Sequence, residues 1–280
     1  MTKEELSALI RKKRSYLCVG LDTDLDKIPA HLHNTDDPVF EFNKQIIDAT
    51  IDLAVAYKPN LAFYESMGIP GLKSLEKTVR YLDAFRDEVF TIADAKRGDI
   101  GNTSTRYAKA YLEEPPLGMG FDSITVAPYM GSDSVKPFLA FDKKWVILLV
   151  ITSNPGATDF QTQKLENGMK LFEQVLHSSK QWGSADNMMY VVGATQSDLL
   201  KDIREIIPDH FLLVPGIGSQ GGSLSEVSAK GLNQLGGLLV NASRSIIYAS
   251  PGEDFATFAR QEASLLQMEM DAALKLKNLI

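Results

Sequence analysis

Eight short apolar runs recur along the chain, each separated from the next by a longer stretch. They are "YLCVGL" (16–21), "AVAYKPN" (54–60), "EVFTIADAK" (88–96), "SITVAPY" (123–129), "WVILLVIT" (145–152), "MYVVGAT" (189–195), "FLLVPGI" (211–217) and "GLLVNAS" (237–243). Nearly continuous apolar runs are what parallel strands buried on both faces require. The segments between them carry helical spacing instead. In "GLKSLEKTVRYLDAFRDE", Leu72, Leu75, Val79, Leu82 and Phe85 share one face. "DPVFEFNKQIIDATIDLA" opens with Pro38 behind Asp36 and Asp37, the composition of a helix start. "DFQTQKLENGMKLFEQVLHSSKQW" and "EDFATFARQEASLLQMEMDAALKLKNL" read as helices in the same way. Strands and helices alternate with no linker and no low-complexity tract. The expected fold is therefore α/β, a single (β/α)8 TIM barrel over residues 1–280 with a short N-terminal helix in "MTKEELSALIRKKRS". An open doubly wound sheet is the alternative.

Composition narrows the class of function. A chain of 280 residues with 44% apolar content has enough material for such a core. A formal charge of −7 without long runs of either sign argues against general nucleic-acid binding, which needs a basic face. It leaves room for a small anion, since phosphate sites are local and use backbone N–H groups. Cys18 is the only cysteine, so no disulfide forms within the chain, and in "YLCVGL" it reads as a small buried hydrophobe. No stretch approaches the ~18 apolar residues of a membrane span. The N-terminus lacks the apolar core of a signal peptide. A reducing cytoplasm is the expected location. His31, His33, His177 and His210 fall outside the strand-end motifs and are expected at the surface.

The chemistry gathers where strands end. In "FTIADAKRGDIGNTS" (90–104), Asp94 and Lys96 are two apart, so a regular strand points both to one side. Phe90 and Ile92 precede them on that side and would fill the barrel. Asp99 lies just beyond, in a turn allowed by Gly98 and Gly101. The first strand ends at Asp22, and the second places Lys58 before Asn60. A lone D-x-K at a strand end is most often a solvated pair worth ~0–1 kcal/mol. Lys58, Asp94, Lys96 and Asp99, alternating in charge at one barrel rim, point instead to a site.

This constellation resembles the orotidine 5′-phosphate decarboxylase family. "DAKRGDIGNT" is similar to its D-x-K-x-x-D signature, and "VGLD", "YKPN", "ITSNPG", "PGIGSQGG" and "NASRSI" follow in family order over nearly the whole chain. The resemblance implies conversion of orotidine 5′-phosphate to uridine 5′-phosphate and carbon dioxide, with no metal or organic cofactor. It implies Lys96 as proton donor to C6 of the pyrimidine and Asp94 beside the substrate carboxylate. Lys58 would bridge Asp94 and the ribose hydroxyls, and Asp22 would bind ribose. Ser153 would hold the pyrimidine edge, and Gln220 and Arg244 the phosphate. Asp99 and Thr103 would reach into the partner's site in a homodimer. One departure is Ser243, where the family usually has Gly before the arginine. Asn154, in the loop after the fifth strand, suits either a substrate contact or an Asx turn. The segment from Tyr107 to Gly120 is longer than a minimal barrel needs and reads as a surface loop or dimer contact.

The implied reaction explains the residue types. Loss of carbon dioxide from C6 leaves an electron pair that no neighbouring carbonyl delocalises. Without a cofactor sink, the protein must supply the upper part of the ~8–23 kcal/mol by which enzymes lower barriers. A fixed ammonium beside the developing carbanion is the available means, and adjacent carboxylates favour its charged form. Rival readings remain. A sugar-phosphate decarboxylase or aldolase-like relative shares D-x-K-x-x-D but uses magnesium, held by a Glu where this chain has Lys58. A non-catalytic nucleotide-phosphate binder would also use Gln220 and Arg244, but would bury unused charge. A phosphate-binding isomerase would need a clear unpaired carboxylate base.

Overall fold

The computed structural model describes residues 1–217 and 221–280. Gln220 lies outside the described residues. Eight parallel strands close into a barrel in sequence order: β1 (Leu17–Leu21), β2 (Ala56–Pro59), β3 (Phe90–Arg97), β4 (Ser123–Val126), β5 (Trp145–Ile151), β6 (Met188–Val192), β7 (Leu212–Pro215) and β8 (Leu238–Ala242). β1 closes the ring by pairing Leu17 with Val240 and Cys18 with Asn241 on β8. Every residue of β1, β2, β4, β6 and β8 is buried, as strands covered by helices outside and side chains inside must be. Each expected strand is observed, within a few residues of its expected ends.

The outer layer follows the apolar periodicity. The helix Pro38–Thr50 starts on Asp37, whose side chain accepts the Phe40 N–H, and buries Val39, Phe42, Ile46 and Ile47. The helix Gly68–Asp83 buries Leu75, Val79 and Leu82. The N-terminal helix Lys3–Lys13 carries a capping box between Thr2 and Glu5. The C-terminal helix Phe255–Leu276 packs against β1 and the helix Pro38–Thr50. Among the described residues, no helix is long and apolar enough to cross a membrane.

Three expectations are corrected. The segment 159–182 is not one helix. It breaks into Ala157–Phe160 and Leu171–Ser179, because Gly168 at φ +83° turns the chain between them and Lys164 pairs with Lys170. The segment 107–120 divides: the helix Gly101–Leu112 takes its first part, and the rest folds back, with Met119 N–H donating to Ala110 and Lys144 reaching Glu114 at 2.7 Å. His210 is not a surface residue. It is only 8% exposed and lies against the Tyr190 ring, with centroids 5.3 Å apart. Burial and the nearby Arg204 push its pKa down to about 4.

Candidate active site

At the carboxyl mouth of the barrel, β2 and β3 bring three charged side chains into direct contact. Lys58 Nζ donates to Asp94 Oδ2 at 2.7 Å, and Lys96 Nζ donates to Asp94 Oδ1 at 2.6 Å. The isolated bridge between Asn60 and Asp94 carries the β2–β3 pairing up to the site. Lys58 and Asp94 are buried, whereas the Lys96 side chain is 51% exposed and faces the mouth. Burial alone would lower the Lys58 pKa, but Asp94 and then Asp22 outweigh it and hold the ammonium above the ordinary lysine range. Burial would raise the Asp94 carboxyl, yet Lys58 and Lys96 outweigh it and hold the group well below the usual carboxylate range. Lys58 and Asp94 therefore both carry their charges near neutral pH.

Regular strand alternation does not carry Lys96 to this place. The β3–β4 register shifts between Ala93 and Arg97, and Lys96 adopts φ +47°. Two residues hold that turn, and the sequence assigns neither of them a role. Thr125 on β4 accepts the Lys96 backbone N–H at 2.9 Å and donates to Asp94 Oδ1 at 3.1 Å. Arg97 donates to the Ala95 carbonyl at 3.0 Å and to the Tyr111 hydroxyl at 3.2 Å, and pairs with Glu65. A threonine in "SITV" and an arginine after a lysine have no spacing that marks them in advance.

The other expected residues ring the same mouth. Asp22 follows β1, and its Oδ1 is buried without a hydrogen-bond partner among the described residues. A buried carboxylate oxygen left unpaired is costly and suits a ligand hydroxyl. Asp99 follows β3; its Oδ1 accepts the Ile100 N–H at 2.7 Å, and the contacts that join Lys58, Asp94 and Lys96 within the chain do not extend to it. Thr103 is exposed in the first turn of the helix Gly101–Leu112. Ser153 follows β5, where Gly193 packs against its backbone so closely that an added Cβ would come within 2.6 Å. Asn154 accepts the Thr152 hydroxyl with its side chain. Arg244 opens the short helix after β8 and is exposed.

Ser243 has its own accommodation. A Cβ built on Gly20 would lie 1.8 Å from Ser243 Oγ and 3.0 Å from Asn241 Oδ1. Asn241 Nδ2 donates to that same hydroxyl at 3.2 Å. The serine side chain thus uses the space that glycine leaves on β1. Cys18, beneath it, is buried, and burial pushes its thiol up to about 12. Among the described residues, no group of three or more His, Cys, Asp or Glu side chains is arranged to hold a metal ion.

The family model described as "Orotidine 5'-phosphate decarboxylase / HUMPS family" matches residues 15–256. The chain is 61% identical over 270 residues to the orotidine 5′-phosphate decarboxylase of Flavobacterium johnsoniae, covering 96% of this chain and 97% of that protein. It is 58% identical over 271 residues to the enzyme of that name from Phocaeicola vulgatus, covering 97% and 98%. Among solved structures, the OMP decarboxylase of Leishmania donovani superposes with a TM-score of 0.78 at 34% identity, covering 96% of this chain and all of that one. With the family model spanning the barrel and relatives this similar along nearly their full length, the chain belongs to the orotidine 5′-phosphate decarboxylase / HUMPS family.

Proposed function

We propose that the protein, acting as one barrel unit over residues 1–280, converts orotidine 5′-phosphate to uridine 5′-phosphate and carbon dioxide in pyrimidine biosynthesis, without metal or organic cofactor. The observation that carries this reading is a buried carboxylate, Asp94, held between the ammonium groups of Lys58 and Lys96 at the barrel mouth. The substrate carboxylate would sit beside Asp94, with C6 facing Lys96 Nζ. The C6–carboxyl bond breaks with both electrons left on C6, and carbon dioxide departs. A proton moves from Lys96 Nζ to C6, and the neutral amine regains one from solvent. The fixed positive charge stabilises the electron pair as it forms, which is where such a field lowers the barrier most.

The remaining roles follow the chemistry of each group. Asp22, with its unpaired buried oxygen, would take a ribose hydroxyl, with Lys58 shared between Asp94 and the ribose. Ser153 would hold the pyrimidine edge. Arg244 after β8, with Gln220 after β7, would bind the phosphate at the position barrels of this class commonly use. That remote binding energy aligns the ring over Lys96.

Asp99 and Thr103 would complete the site of a second copy in a homodimer. Their surroundings support it: Ile100, Tyr129 and Met130 leave apolar surface exposed on the adjoining β3 and β4 loops, with Tyr129 90% exposed. Lys58 also speaks against the magnesium-dependent rival, since its ammonium occupies Asp94 Oδ2 and would repel a cation there. The test is direct. Purified protein with orotidine 5′-phosphate and EDTA is expected to lose the substrate's pyrimidine absorbance and release carbon dioxide. No turnover, or turnover only with added magnesium, would overturn the reading.

A further inference from the structure

Lys96 is held in the left-handed region at φ +47°, uncommon for a residue with a long side chain. Such a backbone persists where its surroundings over-determine it. The β3–β4 ladder cannot do this, because its register breaks between Ala93 and Arg97. The Lys96 N–H instead finds the Thr125 hydroxyl at 2.9 Å, in a buried position where Thr125 is 1% exposed. An amide N–H can only donate, so Oγ1 is the acceptor of that bond. Its own proton is then free for Asp94 Oδ1, 3.1 Å away. Asp94 Oδ1 is also the oxygen that takes Lys96 Nζ, while Oδ2 takes Lys58. One hydroxyl thus touches both ends of the lysine's support: the backbone that launches the side chain and the carboxylate that receives it.

We propose that Thr125 is a positioning residue for the decarboxylation: its hydroxyl stands in for the missing ladder acceptor and ties the Lys96 backbone to Asp94, fixing the direction of the ammonium. The inference rests on the decarboxylase reading of this site. Valine keeps the shape of threonine and its branched Cβ but can make neither bond. Thr125→Val is expected to lower kcat by about 10–100-fold, the scale of an ångström-sized misplacement, while KM changes by less than about threefold. Thr125→Ser retains the hydroxyl and is expected to keep kcat within about threefold of the wild type. Binding of uridine 5′-monophosphate, measured by calorimetry, is expected to be unchanged in both variants.

Wild-type kcat in Thr125→Val would overturn the proposal. So would a Thr125→Ser variant as slow as Thr125→Val, or a loss of nucleotide affinity matching the loss of kcat; either would mark a merely structural role. If Thr125→Val does not fold, Thr125→Ala set against Thr125→Ser makes the same comparison, and equal kcat in those two overturns it. The wild type is assayed alongside. Absence of wild-type turnover would remove the decarboxylase reading itself, whereas turnover with an unimpaired Thr125→Val removes the role of Thr125 alone.

Discussion

Lys58 Nζ lies 2.7 Å from Asp94 Oδ2, with both side chains buried where β2 and β3 end. Lysine in a strand otherwise made of Ala, Tyr and Pro is tolerable only because that carboxylate meets it. Removing the ammonium leaves Asp94 with Lys96 and Thr125 alone. Lys58→Met is expected to destabilise the fold by about 3 kcal/mol, the scale for breaking a buried pair. Adding Asp94→Asn to that variant should recover part of the loss, because the buried carboxylate oxygen that lost its ammonium goes with it. Thermal unfolding of the two variants and the wild type measures this; an unchanged midpoint in Lys58→Met would contradict it.

The pairing of Gly20 with Ser243 gives a second prediction. Gly20→Ala would drive a methyl group into Ser243 Oγ, at a cost of about 1–3 kcal/mol for overpacking. Ser243 directly precedes Arg244, so displacement should also raise KM for the phosphorylated substrate. Gly20→Ala combined with Ser243→Gly should restore most of both, leaving only the tight approach to Asn241. A double-mutant cycle on KM and on unfolding free energy tests the coupling.

His210 makes stability depend on pH above the range where carboxylates titrate. Its folded-state pKa is about 4, against an ordinary 6.5, through burial and the neighbouring Arg204, with Asp209 opposing. The unfolded chain therefore binds the extra proton between those values. Stability from this group is full above pH 6.5 and is lost as pH falls toward 4, about 3 kcal/mol across the window. Denaturant unfolding at pH 7 and pH 4.5 should show the loss in the wild type and a smaller one in His210→Gln. Asp94 acts in the same direction at lower pH: its depressed pKa stabilises the fold above the ordinary carboxylate range and ceases to do so as the group protonates.

Arg244→Ala is expected to raise KM by about 100-fold or more, the scale of a lost charge-assisted contact, with a smaller effect on kcat at saturation. Steady-state kinetics over a wide substrate range separates the two. Unchanged kinetics would place the phosphate elsewhere.

The barrel was legible because parallel strands covered on both sides leave nearly unbroken apolar runs, and eight of them recur between helical segments. Lys58 and Asp94 were legible for the converse reason, as charges at the ends of such runs. The features that the sequence does not mark depend on conformation and distant neighbours. Gly168 in a helical-looking stretch gives no sign that it will adopt φ +83°. His210 precedes β7 in a loop-like sequence, and only the packing of Tyr190 and Arg204 buries it. Thr125 matters because the register slips by its side, and alternation along β3 cannot foresee a lysine at φ +47°.

In the proposed reaction the Lys96 ammonium beside Asp94 stabilises the electron pair left at C6 and then protonates it. Single-turnover decarboxylation of orotidine 5′-phosphate by Lys96→Ala in EDTA, with uridine 5′-monophosphate binding measured on the same sample, tests it most directly. The predicted result is a rate at least ~10⁴-fold below the wild type, from loss of both the proton donor and the fixed charge, with nucleotide binding retained. Wild-type turnover by Lys96→Ala would contradict it.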